Sequence, residues 1–229
     1  KTNYIIHYRM LKFYLQHGMK LVKVHRAISF KQSAWLEPYM TFNTNKRREC
    51  AAAGDKFGKT LFKHLNVSFF GKTMENVRNR RHLELVSDGE RHMHLASKPT
   101  YTGSTIFSND LSAVHLKKVN VKFDKPIYTG FTVLELSKLA MYESFYEVFQ
   151  PYFGEDQCKL HYMDTDSFVL ELTTSNLQQD LTNLQDYFDF SEYPKEHPLY
   201  NNEHEAELGR FKDELKGEEM VEFIGLRSK

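Results

Sequence analysis

Two aspartates, Asp164 and Asp166, are the side chains of this sequence best suited to chemistry. They lie in the segment Tyr162-Met-Asp-Thr-Asp-Ser167, which has strand-forming residues on both sides. At the tip of a hairpin both carboxylates can approach a common ion. Mg²⁺ takes a few carboxylates and keeps other positions for water and substrate phosphates, and two such ions stabilise the attacking and leaving oxygens of phosphoryl transfer. An Asp-rich turn without a ligand fits these residues equally well, whereas an EF-hand would need a Gly and a distal Glu that are missing.

A second candidate site is the basic segment that contains Lys59 and Lys63. On a helix these lysines lie one turn apart on the same face, and two aligned ammonium groups suit a triphosphate. Phe70 offers a flat apolar surface for a base, and Gly71 allows close approach of a backbone. A solvated basic helix face is the alternative interpretation.

The segment Gly54-Asp-Lys-Phe-Gly58-Lys59-Thr60 has a superficial similarity to a phosphate-binding P-loop. It is one residue short between the glycines, and it follows helix-forming residues rather than a strand. We therefore do not predict a P-loop nucleotidase.

The elements that must position these residues form a mixture of helices and strands. Residues 159–172 read as strand, tight turn, strand, and residues 131–149 as an amphipathic helix. Trp35 and the aromatic residues of that helix are predicted to be core, whereas His92, His94, His197 and His204 are predicted at the surface. The other predicted elements are a helix over 8–22 interrupted at Gly18, a strand-like segment 20–30, a helix over 46–70 with Phe57, Leu61 and Leu65 at helical spacing, a loop or hairpin over 87–105, a β-like segment 115–128, and a helix followed by a loop within 176–207.

Composition indicates a folded protein, because 41% of the 229 residues are hydrophobic and 14% are aromatic. No apolar run is long enough to span a membrane, so no membrane partner is predicted. Two cysteines are too few for a disulfide framework and favour a reducing, intracellular compartment. Formal charge is +11 over residues 1–72, +3 over 73–139 and −13 over 140–229. This gradient favours a polyanion-binding half and a carboxylate-bearing half, or else ordinary solvated faces. The arginines at 47, 48, 78, 80 and 81 are the surface candidates for the phosphates of such a polyanion.

These motifs together resemble motifs B and C of family-B DNA polymerases. The similarity is strongest to the protein-primed branch, including the polymerases of Maverick/Polinton-type transposons and related viruses. It spans nearly the whole chain in the same order. The phrases that carry it, besides Tyr162–Ser167, are Phe69-Phe-Gly-Lys-Thr-Met-Glu-Asn-Val-Arg-Asn-Arg80, Lys125-Pro-Ile-Tyr-Thr-Gly130, Tyr193-Pro-Lys-Glu-His-Pro-Leu-Tyr200 and Gly209-Arg-Phe-Lys-Asp-Glu214.

The resemblance implies a role for each matching residue. Asp166 matches the carboxylate that ligates both catalytic metals, and Asp164 matches its less direct companion. Lys63 and Lys59 match lysines that hold the incoming triphosphate, and Phe70 stands where many relatives have a Tyr near the nascent base pair. The positions that match DNA contacts are Ser68, Gly71 and Lys72 near the template, Thr165 and Ser167 in the motif C turn, and Lys229, which matches the lysine of a Lys-x-Tyr element that grips the primer end.

The resemblance also implies an α+β fold, with an antiparallel palm sheet and helical fingers. The segments it implies are palm or inter-motif residues 1–45, a fingers helix with motif B over 46–75, an insertion that helps to displace and hold DNA over 76–112, palm with motif C over 113–175, and a thumb-proximal segment 176–229. The implied cofactor is Mg²⁺, with Mn²⁺ as an alternative. The implied partners are a DNA template-primer, a dNTP and a terminal protein primer, with the nucleus favoured over a mitochondrion or a viral factory.

Two features depart from the family pattern. Val67 stands where motif B has an Asn that organises the nucleotide pocket, and a β-branched apolar side chain cannot replace its amide. Motif A, Asp-x-x-Ser-Leu-Tyr-Pro, would precede Lys1, so we interpret the chain as the interior of a longer polypeptide that is inactive alone.

From the resemblance, the function predicted is a fragment of a DNA-directed DNA polymerase. A catalytically dead transposon relic that at most binds DNA is the main alternative, and a metal-dependent nuclease is less favoured because Lys59 and Lys63 would have no role in it.

Overall fold

A computed structural model describes residues 2–205, 207–218 and 220–225 of the chain. The fold is α+β, with small antiparallel sheets and helices, as the sequence predicted. The chain divides into two compact units, residues 1–136 and 137–229, and each is described by itself. Among the described residues, no helix combines the length and apolar character needed to cross a bilayer.

The first unit begins with helix α1, Tyr8–Gln16, which is shorter than predicted. Gly18 follows it with φ +86°, a left-handed conformation that glycine adopts without a steric penalty. The predicted strand over residues 20–30 is wrong: these residues form no strand and are exposed. Their β-forming side chains have no neighbouring strand to pair with, and an unpaired segment cannot satisfy its backbone groups as a sheet does.

The predicted helix over 46–70 is two helices, α2 (Glu37–Ala52) and α3 (Lys56–Thr73). Gly54 separates them with φ +73°. The amide of Asp55 donates to the carbonyl of Cys50 at 2.8 Å and that of Gly54 to Ala51 at 3.1 Å, which is a Schellman ending of α2. The Asp55 carboxylate then caps α3 by accepting from the amide of Gly58 at 2.9 Å. Gly54 and Gly58 therefore serve a helix junction and not a P-loop.

Helices α2 and α3 pack antiparallel through aromatic side chains. Phe42 contacts Phe62 with ring centroids 6.4 Å apart, and Trp35 contacts Phe69 at 5.7 Å. The Tyr39 hydroxyl donates to the carbonyl of Leu65 at 3.1 Å. Trp35 nevertheless remains 61% exposed, so its predicted place in the core is wrong. Phe57 and Leu61, two residues of the predicted apolar stripe on α3, are exposed and therefore also lie outside the core.

The first unit also contains a three-stranded antiparallel sheet that packs against one helix. Strand β1 (Arg81–Val86) and strand β2 (Tyr101–Ser108) pair antiparallel with the central β3 (Leu111–Lys117). Helix α4 (Gly89–Ala96) begins where the Asp88 carboxylate accepts from the amides of Glu90 and Arg91. The core between helix and sheet consists of Val86, Leu95, Val114 and Leu116. The prediction of a loop or hairpin over 87–105 is therefore wrong for α4, and the β-like segment 115–128 is a strand only as far as Lys117.

Helix α5 (Ile127–Glu143) contains the boundary between the units and continues through a π-helical segment, Ser144–Phe149, into α6 (Gln150–Phe153). The predicted helix over 131–149 is confirmed. In the second unit, β4 (Cys158–Asp164) and β5 (Ser167–Leu172) form an antiparallel hairpin, as predicted. Helix α7 (Leu177–Asn183) confirms the helix within 176–207. The core of this unit is built on Phe145, Phe149, Cys158 and Leu184, so two aromatic residues of the predicted helix are core as expected.

Gly130 on α5 gives a test of the packing in the first unit. A Cβ at this position would overlap the Met74 side chain and the Thr73 hydroxyl at the end of α3. We expect Gly130→Ala to lower the free energy of unfolding by about 1–3 kcal/mol, the usual cost of overpacking. The measurement is urea denaturation followed by circular dichroism. The matched control is Gly71→Ala on α3, where a Cβ meets no described atom within 4 Å and where Ala gains up to about 1 kcal/mol in helix propensity. Equal stabilisation by both changes would contradict the close packing.

Candidate functional site

The hairpin formed by β4 and β5 brings Asp164 and Asp166 to one turn. Asp164 ends β4 and pairs with Ser167, the first residue of β5, so only Thr165 and Asp166 form the connection. Asp166 is exposed and Asp164 is half-buried. The two carboxylates predicted from the sequence therefore share the tip of a two-stranded hairpin.

The turn has an unusual backbone at Thr165. Its φ is +54°, a left-handed value that is an outlier for a β-branched residue. The amide of Asp166 donates to the carbonyl of Asp164, which makes a three-residue γ-turn centred on Thr165. Such a conformation costs about 1–3 kcal/mol and persists only where its surroundings impose it. The sequence alone does not indicate this strain, because Thr is not a residue that favours a positive φ.

The hydroxyls predicted to contact DNA hold the turn together. The Thr165 hydroxyl donates to Oδ1 of Asp164 at 3.1 Å, and the Ser167 hydroxyl donates to the Asp164 carbonyl at 3.2 Å. Both side chains are exposed. The Thr165 hydroxyl thus contacts the Asp164 carboxylate, the Ser167 hydroxyl contacts the Asp164 backbone, and both remain accessible from solvent.

An aromatic cluster packs against the hairpin directly beside its turn. Phe168, directly after Ser167, packs against Phe145 and Phe149 of the π-helical segment at ring distances of 6.0 and 6.3 Å. It also stacks on Phe211 at 5.8 Å. On the strands, Glu171 accepts hydrogen bonds from Lys159 at 3.0 Å and pairs with His161 at 2.7 Å. These contacts lower the pKa of Glu171. The Glu171 carboxylate on β5 is thus already paired with side chains of β4.

The donor set at the turn fits Mg²⁺, which characteristically binds through one or two carboxylates and completes its octahedron with water and substrate phosphates. Asp164 and Asp166 supply two acidic oxygen ligands at an accessible position. Among the residues that the structure describes, no group of three or more His, Cys, Asp or Glu is placed to hold a metal ion. Two carboxylates alone do not complete an octahedral site, so a Mg²⁺ ion here would need further ligands from substrate, water or other protein segments.

Helix α3 carries the predicted triphosphate lysines on one stripe. Lys59 and Lys63 lie four residues apart, and Phe70 follows seven residues after Lys63, so all three share a face. Both lysines are exposed, and neither has an ion-pair partner within the described part of the chain. Phe70 is half-buried. Val67 lies on the same stripe with 57% of its surface exposed.

The template-contact residues predicted on α3 differ in availability. The Ser68 hydroxyl donates to the carbonyl of Leu65 at 3.0 Å, within its own helix. Gly71 is exposed, and no described atom lies within 4 Å of the point that a Cβ would occupy there, so a strand can approach its backbone closely. Lys72 pairs with Glu75 at 3.5 Å but remains exposed.

Glu75 pairs with three cations, Lys72, Arg80 and Lys125, and the sequence did not indicate this cluster. The Arg80 guanidinium donates to Glu75 through two nitrogens, both at 2.8 Å, and Lys125 approaches at 3.2 Å. The hydrogen bond from Arg80 holds the pKa of Glu75 well below its usual range. Arg78 instead lies over the ring of Phe123 at 4.4 Å. Of the arginines predicted to contact DNA, Arg80 is therefore neutralised by a carboxylate.

Two of the sequence segments that carry the resemblance, residues 193–200 and 209–214, contact each other in the second unit. The Tyr193 hydroxyl donates to Oδ2 of Asp213 at 2.7 Å. The pKa of Tyr193 is raised, mainly because the hydroxyl is buried and secondly because of this hydrogen bond. Lys212 pairs with the buried Asp189 at 3.3 Å and with Glu192 at 2.7 Å. These residues hold the loops after α7 together. Their spacing in sequence gives no signal for this pairing.

Three histidines predicted at the surface are partly buried instead. His92 lies on α4 and bonds the Ser112 hydroxyl at 2.7 Å. His204 is 15% exposed and contacts Glu207 at 2.7 Å. His197 packs edge-on against the Tyr193 ring at 4.6 Å. Each histidine contacts a neighbouring side chain in the folded protein, and the residue type alone does not indicate that contact. His94 is exposed, as predicted.

Each half of the candidate site is defined within its own unit, with the lysine stripe in the first and the carboxylate turn in the second. Lys229, predicted to grip the primer end, lies outside the described residues. No protein-family model, no curated protein and no solved structure matches the chain. The assignment of a function therefore depends on the chemistry of these two half-sites and on the sequence resemblance.

Proposed function

We propose that this chain carries palm and fingers elements of a template-directed DNA polymerase of the protein-primed family-B type. The observation that carries the proposal is the turn at Thr165, which presents Asp164 and Asp166 together at the tip of a hairpin. Backbone outliers of this kind concentrate at functional sites, where the fold holds a side chain in a required position. The hairpin corresponds to the palm, and the pair α2 and α3 to the fingers.

In this function Asp166 and Asp164 hold Mg²⁺, with Mn²⁺ as an alternative. The metal supplies charge neutralisation at the reacting phosphate. Asp166 is the exposed, principal ligand, the Thr165 hydroxyl orients the Asp164 carboxylate, and the Ser167 hydroxyl holds the Asp164 backbone carbonyl. The reaction is attack of a primer or terminal-protein hydroxyl on the α-phosphate of a dNTP, with loss of pyrophosphate. Most of the rate comes from positioning and from electrostatic stabilisation.

The lysine stripe supplies the second part of the function. Lys59 and Lys63 hold the triphosphate of the incoming dNTP, and their lack of a carboxylate partner in the described residues leaves both charges for the ligand. Phe70, on the same stripe, packs against the nascent base pair. Ser68, Gly71 and Lys72 contact the template strand, and Thr165 and Ser167 lie beside the primer terminus, which Lys229 also grips. The partners are thus a template-primer, a dNTP and a terminal protein, in the nucleus of a host cell.

The proposal is tested by primer extension. The chain is joined at its amino end to a segment that carries the motif Asp-x-x-Ser-Leu-Tyr-Pro and is supplied with Mg²⁺, a template-primer and one dNTP at a time. We expect incorporation only of the nucleotide that the template specifies. Incorporation without regard to the template, or DNA cleavage in place of extension, would reject a template-directed polymerase.

One observation favours the alternative of a catalytically dead relic. Val67 lies exposed on the lysine stripe, where an apolar side chain gains nothing from burial and offers no hydrogen bond to a nucleotide. We expect Val67→Asn, in the chain joined to the motif A segment, to raise the efficiency of dNTP incorporation by about tenfold, the value of one added hydrogen bond to a charged ligand. Its effect on stability should stay within about 0.5 kcal/mol, as for other surface positions. A joined chain that remains inactive both with Val67 and with Asn would support the relic.

A further inference from the structure

A cavity of about 330 Å³ opens on the sheet of the first unit, and none of the candidate-site residues described above lines it. Its floor is formed by β1 and β3, where His82 lies opposite Leu116 in the antiparallel register. Its wall includes the connection between α4 and β2, which is tied to the sheet because the Lys117 amide donates to the carbonyl of Thr100 at 2.7 Å. The floor of this cavity is therefore hydrogen-bonded sheet, and the rest of its lining comes from the connection before β2 and from the residues after β3.

Three lysines surround the cavity: Lys98 from the connection, Lys117 at the end of β3 and Lys118 directly after it. None of the three has a carboxylate partner within 4.0 Å among residues 2–205, 207–218 and 220–225. Three like charges around one shallow depression add to a positive potential there, which attracts anions. The arrangement favours an anion with more than one charge.

The carboxylate in the lining, Glu84, is already neutralised. Glu84 lies on β1, accepts from the Arg91 guanidinium at 2.7 Å and pairs with His82 at 3.2 Å. The Arg91 hydrogen bond is the main cause of a lowered pKa of Glu84, so this group is ionised and paired at neutral pH. It therefore does not offset the lysines, whose charge remains available to a ligand.

We propose that this cavity binds the phosphoryl groups of a phosphate-bearing ligand. Its volume lies at the lower end of the range typical of ligand sites, which suits one or two phosphates with their attached groups. No Phe, Tyr or Trp of the described chain lines it, so there is no surface on which a base would stack. The site reads phosphate charge and not base identity. The ligand is either a nucleic-acid backbone or a free polyphosphate, and neither Asp164, Asp166 nor the lysines of α3 take part in binding it.

The test uses the 229-residue chain and a triple variant, Lys98→Gln/Lys117→Gln/Lys118→Gln. Binding of a labelled single-stranded oligonucleotide of about 12 nucleotides is measured by fluorescence anisotropy between about 50 and 200 mM salt, and binding of inorganic pyrophosphate by calorimetry. Each lysine–phosphate contact adds about 0.7 to the magnitude of the slope of log K against log salt for a single strand. For a nucleic-acid ligand we expect the slope to fall by about 2 and the affinity by about tenfold to hundredfold. For a free polyphosphate we expect loss of pyrophosphate binding alone.

A control variant, Lys20→Gln/Lys23→Gln/Lys31→Gln, removes the same charge from an exposed segment that does not line the cavity. Its effect gives the general contribution of three lost charges, and the loss in the cavity variant must exceed it. A third variant with arginine at the three cavity positions should retain binding, which separates loss of charge from loss of folding. Equal losses in the cavity and control variants, no loss for either ligand, or equal binding of an uncharged peptide nucleic acid of the same sequence would overturn the proposal.

Discussion

Asp166→Ala is expected to lower the rate of primer extension by at least about 10³-fold in the chain joined to a motif A segment, with duplex affinity changed less than about twofold. Removing a single hydrogen-bond donor to a transition state already costs about 10²–10³. Asp166 is proposed to hold the charge that neutralises the reacting phosphate, so its loss should cost more. Because the side chain is exposed, the substitution removes little packing and should leave the fold intact.

Three comparisons make this result specific. Asp186→Ala removes an exposed acidic side chain of the same unit and should leave extension unchanged. Asp164→Ala should reduce extension less than Asp166→Ala, because Asp164 matches the less direct ligand. Mn²⁺ titration of the chain by electron paramagnetic resonance should show binding that Asp166→Ala weakens. Normal extension by the Asp166→Ala variant, with unchanged Mn²⁺ binding, would remove the basis for the proposed catalytic site.

The carboxylate hairpin could be predicted because its information is local. Alternating apolar residues on both sides of a short polar turn define two strands whose register the two-residue connection then fixes. The same reasoning gave the helix over 131–149, whose aromatic residues Phe145 and Phe149 recur at helical spacing. It could not assign the positive φ to Thr165, because the residue type opposes that conformation, although a two-residue hairpin connection requires it.

The elements that were predicted wrongly depend on partners distant in the sequence. Residues 20–30 have the composition of a strand, but a strand exists only where another strand accepts its hydrogen bonds. Helix α4 is short and polar, and it is stabilised by the Asp88 cap and by burial of Leu95 against β3. Periodicity within eight residues is too weak to indicate a helix that tertiary packing decides. Trp35 was expected in the core because of its type alone, although its surroundings leave it mostly exposed.

Ion pairing is the feature of the candidate site that the sequence indicates least. Lys72 and Arg80 belong to basic segments that suggest DNA contact, yet both pair with Glu75, and Lys125 joins them. A charged surface pair contributes little to stability, but it lowers the positive charge that a nucleic acid would meet. Lys59 and Lys63 differ because they keep their charges unpaired within the described residues, which makes them the stronger candidates for a phosphate ligand.

Lys63→Ala is expected to raise the KM for dNTP by about 10–100-fold in the joined chain, with a smaller change in kcat. A hydrogen bond to a charged group is worth about 1.5–3 kcal/mol, and each 1.4 kcal/mol corresponds to about tenfold in affinity. The lysine is proposed to hold the triphosphate both before and during the reaction, so its loss weakens binding more than turnover. Alanine favours the helical conformation at least as well as lysine, so α3 should remain folded.

The matched control for Lys63→Ala is Lys56→Ala, which removes an exposed lysine from the same stripe in the first turn of α3. If charge on the helix acts only at long range, the two substitutions should raise KM equally, and both effects should disappear at high salt. If Lys63 contacts the triphosphate directly, its effect should exceed that of Lys56 by at least about fivefold at about 0.15 M salt, and Lys63→Arg should recover part of it. Equal effects from the two positions would leave α3 as a general basic surface and withdraw the nucleotide site from this helix.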